Sequence, residues 1–267
     1  MILFHRASQV RLVWLAIALV LLSGCSVIDY LNRDETEDWT AQQLSDAARE
    51  AVLSGNYETA VDYLEKLESR YPFGRYARNA ELQLIYTYYK SGQPDQAIAA
   101  ADRFIRTYPR SDDLDYVYYM KGLVNFNRGD GPLDRLFPND PSLTDTDTSR
   151  KAFTSFSELV RLFPNSQYAE DARQRLRYLH YALARHEANV ADYYWRRGAY
   201  VAAVNRSDTI LQRYAQTPAV EQALAIMVKS YMAMGANDLA KDALQVLQLN
   251  YPQHPNLVKW QGHLNPS

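Results

Sequence analysis

Apolar residues recur along most of this chain at the three-and-four spacing of one helix face. Tyr57, Ala60, Leu64 and Leu67 form one such stripe, and comparable stripes return between glycines and prolines. The bounding residues are themselves periodic. Gly55, Gly92 and Gly129 are successively 37 residues apart, and Gly198 and Gly235 are again 37 apart. An alanine stands five residues after four of these glycines (Ala60, Ala97, Ala203, Ala240), and Pro72, Pro109 and Pro252 stand seventeen after Gly55, Gly92 and Gly235. Each mark has a physical task. Glycine in the left-handed conformation closes the first helix of a pair. Alanine early in the second helix lets the two axes approach closely, and proline stops that helix and turns the chain. The pattern predicts an all-α fold of five helix pairs, at roughly 40–72, 76–109, 112–164, 166–215 and 217–252.

Helix pairs with these marks resemble the tetratricopeptide repeat, whose usual period is about 34 residues. Stacked, they imply a right-handed superhelix of about ten helices with an extended concave surface. The three extra residues per unit are expected to lengthen turns such as 71–76 and 108–113. Two departures from the period can be located. The stretch from Asp130 to Ser149 is rich in Gly, Pro, Asp and Thr and reads as an inserted loop, after which Ala152, Phe156, Leu159 and Pro164 resume a second helix. Gly198 then follows Pro164 by 34 residues where other units have 20, which predicts a first helix about four turns longer than its counterparts. Thr217-Pro218 is expected to cap and open the ninth helix. Residues 253–267 carry no repeat mark and read as a C-terminal tail.

The amino terminus has a different character. Met1 to Gly24 carries Arg6, Arg11 and no acid, with an unbroken apolar run of 11 residues from Leu12 to Leu22. Spanning a hydrocarbon core takes about 20 helical residues, so this is the pattern of a cleaved signal peptide. Leu22-Ser23-Gly24-Cys25 is similar to the lipobox of bacterial lipoproteins. That similarity implies that Cys25 becomes the N-terminus and carries a thioether-linked diacylglycerol and an N-acyl chain, a multi-chain anchor that holds stably; the alternative is an ordinary signal with a chance cysteine. Ser26 follows where many inner-membrane lipoproteins have aspartate, which implies the inner leaflet of the outer membrane, facing the periplasm. Residues 26–38 are polar and acidic and read as a flexible tether.

Composition narrows the function classes. Hydrophobic residues at 47% and charged residues at 22% exclude wholesale disorder. The net charge of −2, or −4 with 27 bases against 31 acids once the signal is removed, offers nothing to a nucleic acid. A single cysteine excludes an intramolecular disulfide. Twenty-one tyrosines, large and amphipathic, suit seams and interfaces. Placed on first helices, Arg49 from the first repeat, Leu82, Tyr86, Tyr89 and Lys90 from the second, and Tyr116, Tyr119 and Phe126 from the third are candidates for a peptide groove. Core between repeats is the other role open to these tyrosines. On the long fourth-repeat helix, Arg185, Trp195, Arg196 and Arg197 are candidates for a partner interface, because tryptophan and arginine dominate interface hot spots; a solvated helix end is the alternative. His180 and His186, six apart, share no helix face, and Asp145-Thr146-Asp147 lacks the remainder of a calcium loop. No phosphate loop, nucleophile elbow or dinucleotide fingerprint occurs. We therefore expect no enzyme, no metal and no cofactor beyond the lipid.

Several stretches taken together, 70–76 (RYPFGRY), 84–90 (LIYTYYK), 102–106 (DRFIR), 163–168 (FPNSQY) and 193–200 (YYWRRGAY), resemble the BamD family of outer-membrane protein assembly lipoproteins from Cys25 to about Tyr251. The resemblance implies a non-enzymatic scaffold of the Bam complex. It implies partners in the POTRA domains of BamA, a BamC-type lipoprotein and unfolded β-barrel precursors, and no nucleic acid. On that family's pattern, repeats 1–2 (39–110) are the substrate side, an unfolded segment is received in the groove around Tyr86, Tyr89 and Tyr119, and repeats 3–5 (111–252) face the complex through the helix carrying Trp195 to Arg197. A repeat adaptor lipoprotein of another envelope machine, in pilus, secretion or cell-wall assembly, is the alternative.

Overall fold

The computed structural model describes residues 34–128 and 146–264, all as helices and short turns, with no strand among them. The signal region, Cys25, Gly129 and most of the expected insert lie outside the described residues. The helices are α1 (Ala41–Leu53), α2 (Tyr57–Arg70), α3 (Arg75–Lys90), α4 (Pro94–Thr107), α5 (Leu114–Phe126), α6 (Thr146–Leu162), α7 (Ala169–Arg196), α8 (Tyr200–Arg213), α9 (Ala219–Ala233), α10 (Asn237–Asn250) and α11 (Leu257–Leu264). The first ten fall into the five expected pairs. The glycines closing α1, α3, α7 and α9 adopt φ between 72° and 78°, and the alanines five residues later are fully buried, as is Ala152. At 28 residues α7 is the long helix expected, against 13 to 16 in the other first helices. The chain forms two compact units that divide between Ala80 and Glu81, within α3.

In the first unit, α1 starts with a capping box. Thr40 Oγ1 accepts from the Gln43 N–H, and the Gln43 side chain accepts from the Thr40 N–H at 2.9 Å, satisfying two otherwise orphaned donors. Leu44, Ala48 and Ala51 then bury against Ala60, Val61, Leu64 and Leu67 of α2. One expectation fails here. The end of the supposed tether is fastened to α2. The Asp34 carboxylate accepts from the Thr36 N–H (3.0 Å) and hydroxyl (2.8 Å), from Lys66 Nζ (3.1 Å) and from Arg70. Arg70 also donates to the Thr36 carbonyl and hydroxyl, and Tyr71 donates to the Trp39 carbonyl at 2.9 Å. Lys66 and Arg70 are one turn apart on α2, so two cations converge on a single acid, a pairing that local sequence cannot show. The hydrogen bonds from Thr36, supported by Lys66, hold the Asp34 carboxyl well below the usual carboxylate range.

In the second unit the core passes from helix to helix. Ile85 of α3 packs with Ala100, Ala101 and Phe104 of α4 and with Leu114, Val117 and Met120 of α5. Each helix from α4 to α11 packs on the next, and α7 also packs on α9. Gly122 of α5 permits one close approach: a Cβ there would lie 2.4 Å from the Phe156 ring of α6. Two local expectations need correction. Thr217 does not cap α9; its hydroxyl donates backwards to the Tyr214 carbonyl at 2.8 Å, and α9 begins after Pro218 with no side-chain cap. The segment after Pro252 is not merely a tail. It forms α11, where Leu257 and Leu264 bury with Leu224, Val228, Leu244 and Leu247, and Trp260 packs alongside. A helix of 8 residues carries too little periodic signal to stand out in sequence.

Candidate interaction surfaces

The candidate groove residues divide between the two units. Arg49 lies in the first, exposed, with its guanidinium on Asp46 at 3.0 Å. The others lie in the second unit on α3 and α5. Leu82, Tyr86, Tyr89 and Tyr116 are half-buried around the Ile85–Phe104–Val117–Met120 cluster, and Lys90 is exposed. Asn127 donates to the Tyr89 hydroxyl at 2.6 Å. Tyr119 stacks on Tyr168 with centroids 4.7 Å apart and donates to Asp171 at 2.9 Å. Asp171 also accepts from Arg175 at 2.6 Å, and the Arg175 guanidinium lies over the Phe126 ring at 4.8 Å. Burial pushes the Tyr116 and Tyr119 phenols above the ordinary tyrosine value, with Tyr168 and Asp171 respectively adding to it. Burial alone would raise the Asp171 carboxyl, but the bonds from Arg175 and Tyr119 leave it below its usual value. Each of these rings is thus packed on one side and accessible on another.

The candidate partner residues are likewise not one patch. Arg185 precedes Arg197 by twelve residues, about 18 Å along a helix. At the end of α7, Trp195 is half-buried against Ala191, Ala203 and Ile226, with Lys229 Nζ 3.5 Å from its ring centroid. Arg196 and Lys229 both reach Asp192, at 3.0 and 3.3 Å. The exposed aromatic at this end is Tyr193, whose hydroxyl accepts from Arg197 at 3.3 Å while the guanidinium lies over its ring. Sequence reasoning favoured Trp195 for its residue type, although Tyr193 is the ring that solvent reaches.

The same reasoning missed Glu187, which is 5% exposed and bridges Arg206 of α8 (3.0 Å) and Arg150 of α6 (3.5 Å). It also missed Tyr178 and Tyr181, both half-exposed on α7. Their spacing to Arg185 was the available signal. His180 packs between Phe153 and Tyr214. Among the described residues no group of three His, Cys, Asp or Glu side chains is placed to hold a metal ion, and no helix is long and apolar enough to cross a membrane.

Residues 37–258 match the family described as outer membrane lipoprotein, YfiO. Outer membrane protein assembly factor BamD of Neisseria meningitidis serogroup A is 42% identical over 243 residues, 90% of this chain and 91% of that one. The chain belongs to the BamD family. The same-named proteins of Xylella fastidiosa (Temecula1) and Vibrio cholerae are each 37% identical, covering 90% and 88% of this chain and 82% and 95% of theirs. This is therefore a member of a family of outer membrane assembly factors, as the motifs between Arg70 and Tyr200 implied. Among solved structures, MamA (16% identity, TM-score 0.37, 84% of this chain and 91% of that one) is similar at a level too low to bear on shape or role.

Proposed function

We propose that the chain carries out its family's role, assembly of outer membrane proteins, as a non-enzymatic scaffold held at the membrane by lipid on Cys25. The observation that carries this reading is identity of up to 42% across nine-tenths of the chain, joined to faces that present half-exposed tyrosines and arginines. The anchor places the folded part at the inner leaflet of the outer membrane, facing the periplasm. The α3–α5 face, with Tyr86, Tyr89, Tyr116 and Tyr119, receives an unfolded barrel segment: rings supply apolar contact, and the polar rim of Tyr89, Asn127 and Lys90 supplies partners for a strand's main chain. Covering such a strand until it pairs prevents edge-to-edge aggregation. The end of α7, from Tyr193 to Arg197, meets the POTRA domains of a BamA-type barrel, and a BamC-type lipoprotein binds the same half.

Isolation in mild detergent tests the assignment. A BamA-type barrel is expected to co-purify, and repeated recovery of another envelope machine without one overturns the reading. Cys25→Ala is expected to abolish incorporation of radiolabelled lipid and to release the protein from membranes; undiminished labelling would remove the anchor.

A further inference from the structure

Phe73 is the most exposed large apolar side chain among the described residues, at 88%. It stands in the turn between α2 and α3, with Pro72 before it and Gly74 after it at a φ of 87°, a conformation that favours glycine. Pro72 and Arg75 are exposed as well, and the Arg75 guanidinium lies over the Tyr76 ring at 4.9 Å.

A single exposed apolar residue needs no explanation by itself, but the position of this one carries information. Phe73 follows Arg70 by three residues, and Arg70 and Lys66 hold Asp34. The chain arriving from Cys25 therefore joins the fold at the end of α2 that presents the ring. Tyr71 donates to the Trp39 carbonyl and ties the turn to the same junction. Cys25 precedes Asp34 by nine residues, which on any path span at most about 32 Å. Leu53, 82% exposed, stands beside the opposite end of α2, about 20 Å along that helix.

Charge decides the kind of contact. Asp34, Glu35, Glu37 and Asp38 share this end of the fold with Lys66, Arg70, Arg75 and Arg78, so no positive excess draws it to an anionic surface. What the turn offers is apolar area. Taking a phenylalanine ring out of water favours the seated state by on the order of ten- to a hundredfold. That is weak between free partners and sufficient when a short link makes the encounter intramolecular.

We propose that the α2–α3 turn seats Phe73 in the interface of the phospholipid surface to which Cys25 is anchored. The first unit then touches the membrane at two points, the lipid and the ring, with Arg75 at the depth of the phosphates. The proposal rests on the reading of Cys25 as the lipidated residue.

Photolabelling reads the contact on the unsubstituted chain. The full-length lipidated protein is reconstituted in vesicles of phosphatidylethanolamine and phosphatidylglycerol that contain a trace of phospholipid with a diazirine on one acyl chain, and labelled peptides are mapped by mass spectrometry. Residues 71–76 are expected to take label at least about fivefold above residues 53–57, with no loss at about 0.5 M salt. Phe73→Asp is expected to bring 71–76 down to the level of 53–57 while circular dichroism stays unchanged, since the ring is outside the core. Equal labelling at both ends of α2, loss of labelling in salt, or labelling indifferent to Phe73→Asp would overturn the proposal. So would a turn that lipid does not label but that an added unfolded barrel segment protects, because its ligand would then be polypeptide. A chain that floats with the vesicles and is unlabelled at 71–76 removes the contact and leaves the anchor standing. A chain that does not float with them removes the anchor, and the contact with it.

Discussion

At its first turn α7 meets α5. Tyr168, just before the helix, stacks on Tyr119, Asp171 ties Tyr119 to Arg175, and Arg175 covers Phe126. At its last turn the same residue types meet again: Arg197 donates to Tyr193, Arg196 and Lys229 reach Asp192, and Lys229 covers Trp195. The contacts are alike in kind, but the surroundings differ. The first cluster is closed from behind by α6, whose Phe156 presses on Tyr119, Phe126 and Gly122. The last leaves Tyr193, Arg196 and Arg197 exposed. At the last turn α8 and α9 cover Trp195 alone and leave its neighbours in solvent. The first end is therefore the more buried of the two, and the second keeps three of its side chains in solvent.

Substitutions can break this contrast. The largest effect is expected from Phe156→Ala, which empties the space behind the first cluster and should cost about 3–5 kcal/mol in urea unfolding; a loss below about 1 kcal/mol would show that α6 does not seal the seam. Gly122→Ala acts on the same contact by overfilling it and should cost about 1–3 kcal/mol by the same measurement. Unchanged stability would mean that α5 and α6 can separate freely.

Alkaline pH sharpens the contrast further. Burial raises the Tyr116 and Tyr119 phenols, so the neutral forms stabilise the fold fully below the ordinary tyrosine value of about 10, and that contribution is lost as pH rises through the higher folded values. Absorbance titration is expected to show late-ionising tyrosines that titrate together with loss of helix. Ionisation of all tyrosines near the ordinary value with the helices intact would contradict the sealed seam. The smallest effect on folding is expected at the open end. Arg197→Glu should shift stability by no more than about 0.5 kcal/mol while weakening binding of purified POTRA domains by about 1–3 kcal/mol. Equal affinity would return Arg197 to the solvated surface.

Much of the fold was legible before any coordinate. A glycine that must turn left-handed, an alanine that must let two axes close and a proline that must stop a helix are constraints imposed within a few residues. Their recurrence at 37 located four of the five pairs, and the 34-residue gap before Gly198 located the long helix. The membership of Tyr86, Tyr89, Tyr116 and Tyr119 in first helices followed from that register. Their division of labour did not, because a tyrosine at helical spacing looks the same whether a neighbouring helix covers one edge of its ring or the whole of it.

Sequence alone thus determined the helix pairs, their boundaries and the family, because these depend on backbone conformation and on period, both of which are local. Only the tertiary structure decided that Asp34 is clamped by Lys66 and Arg70, that α11 joins the C-terminal core, that Glu187 lies buried between Arg150 and Arg206, and that Arg185 keeps company with Tyr178 and Tyr181 rather than with Arg197. Those outcomes depend on which side chains converge from distant turns. Burial and charge pairing are properties of that convergence, and spacing along a single helix does not contain them.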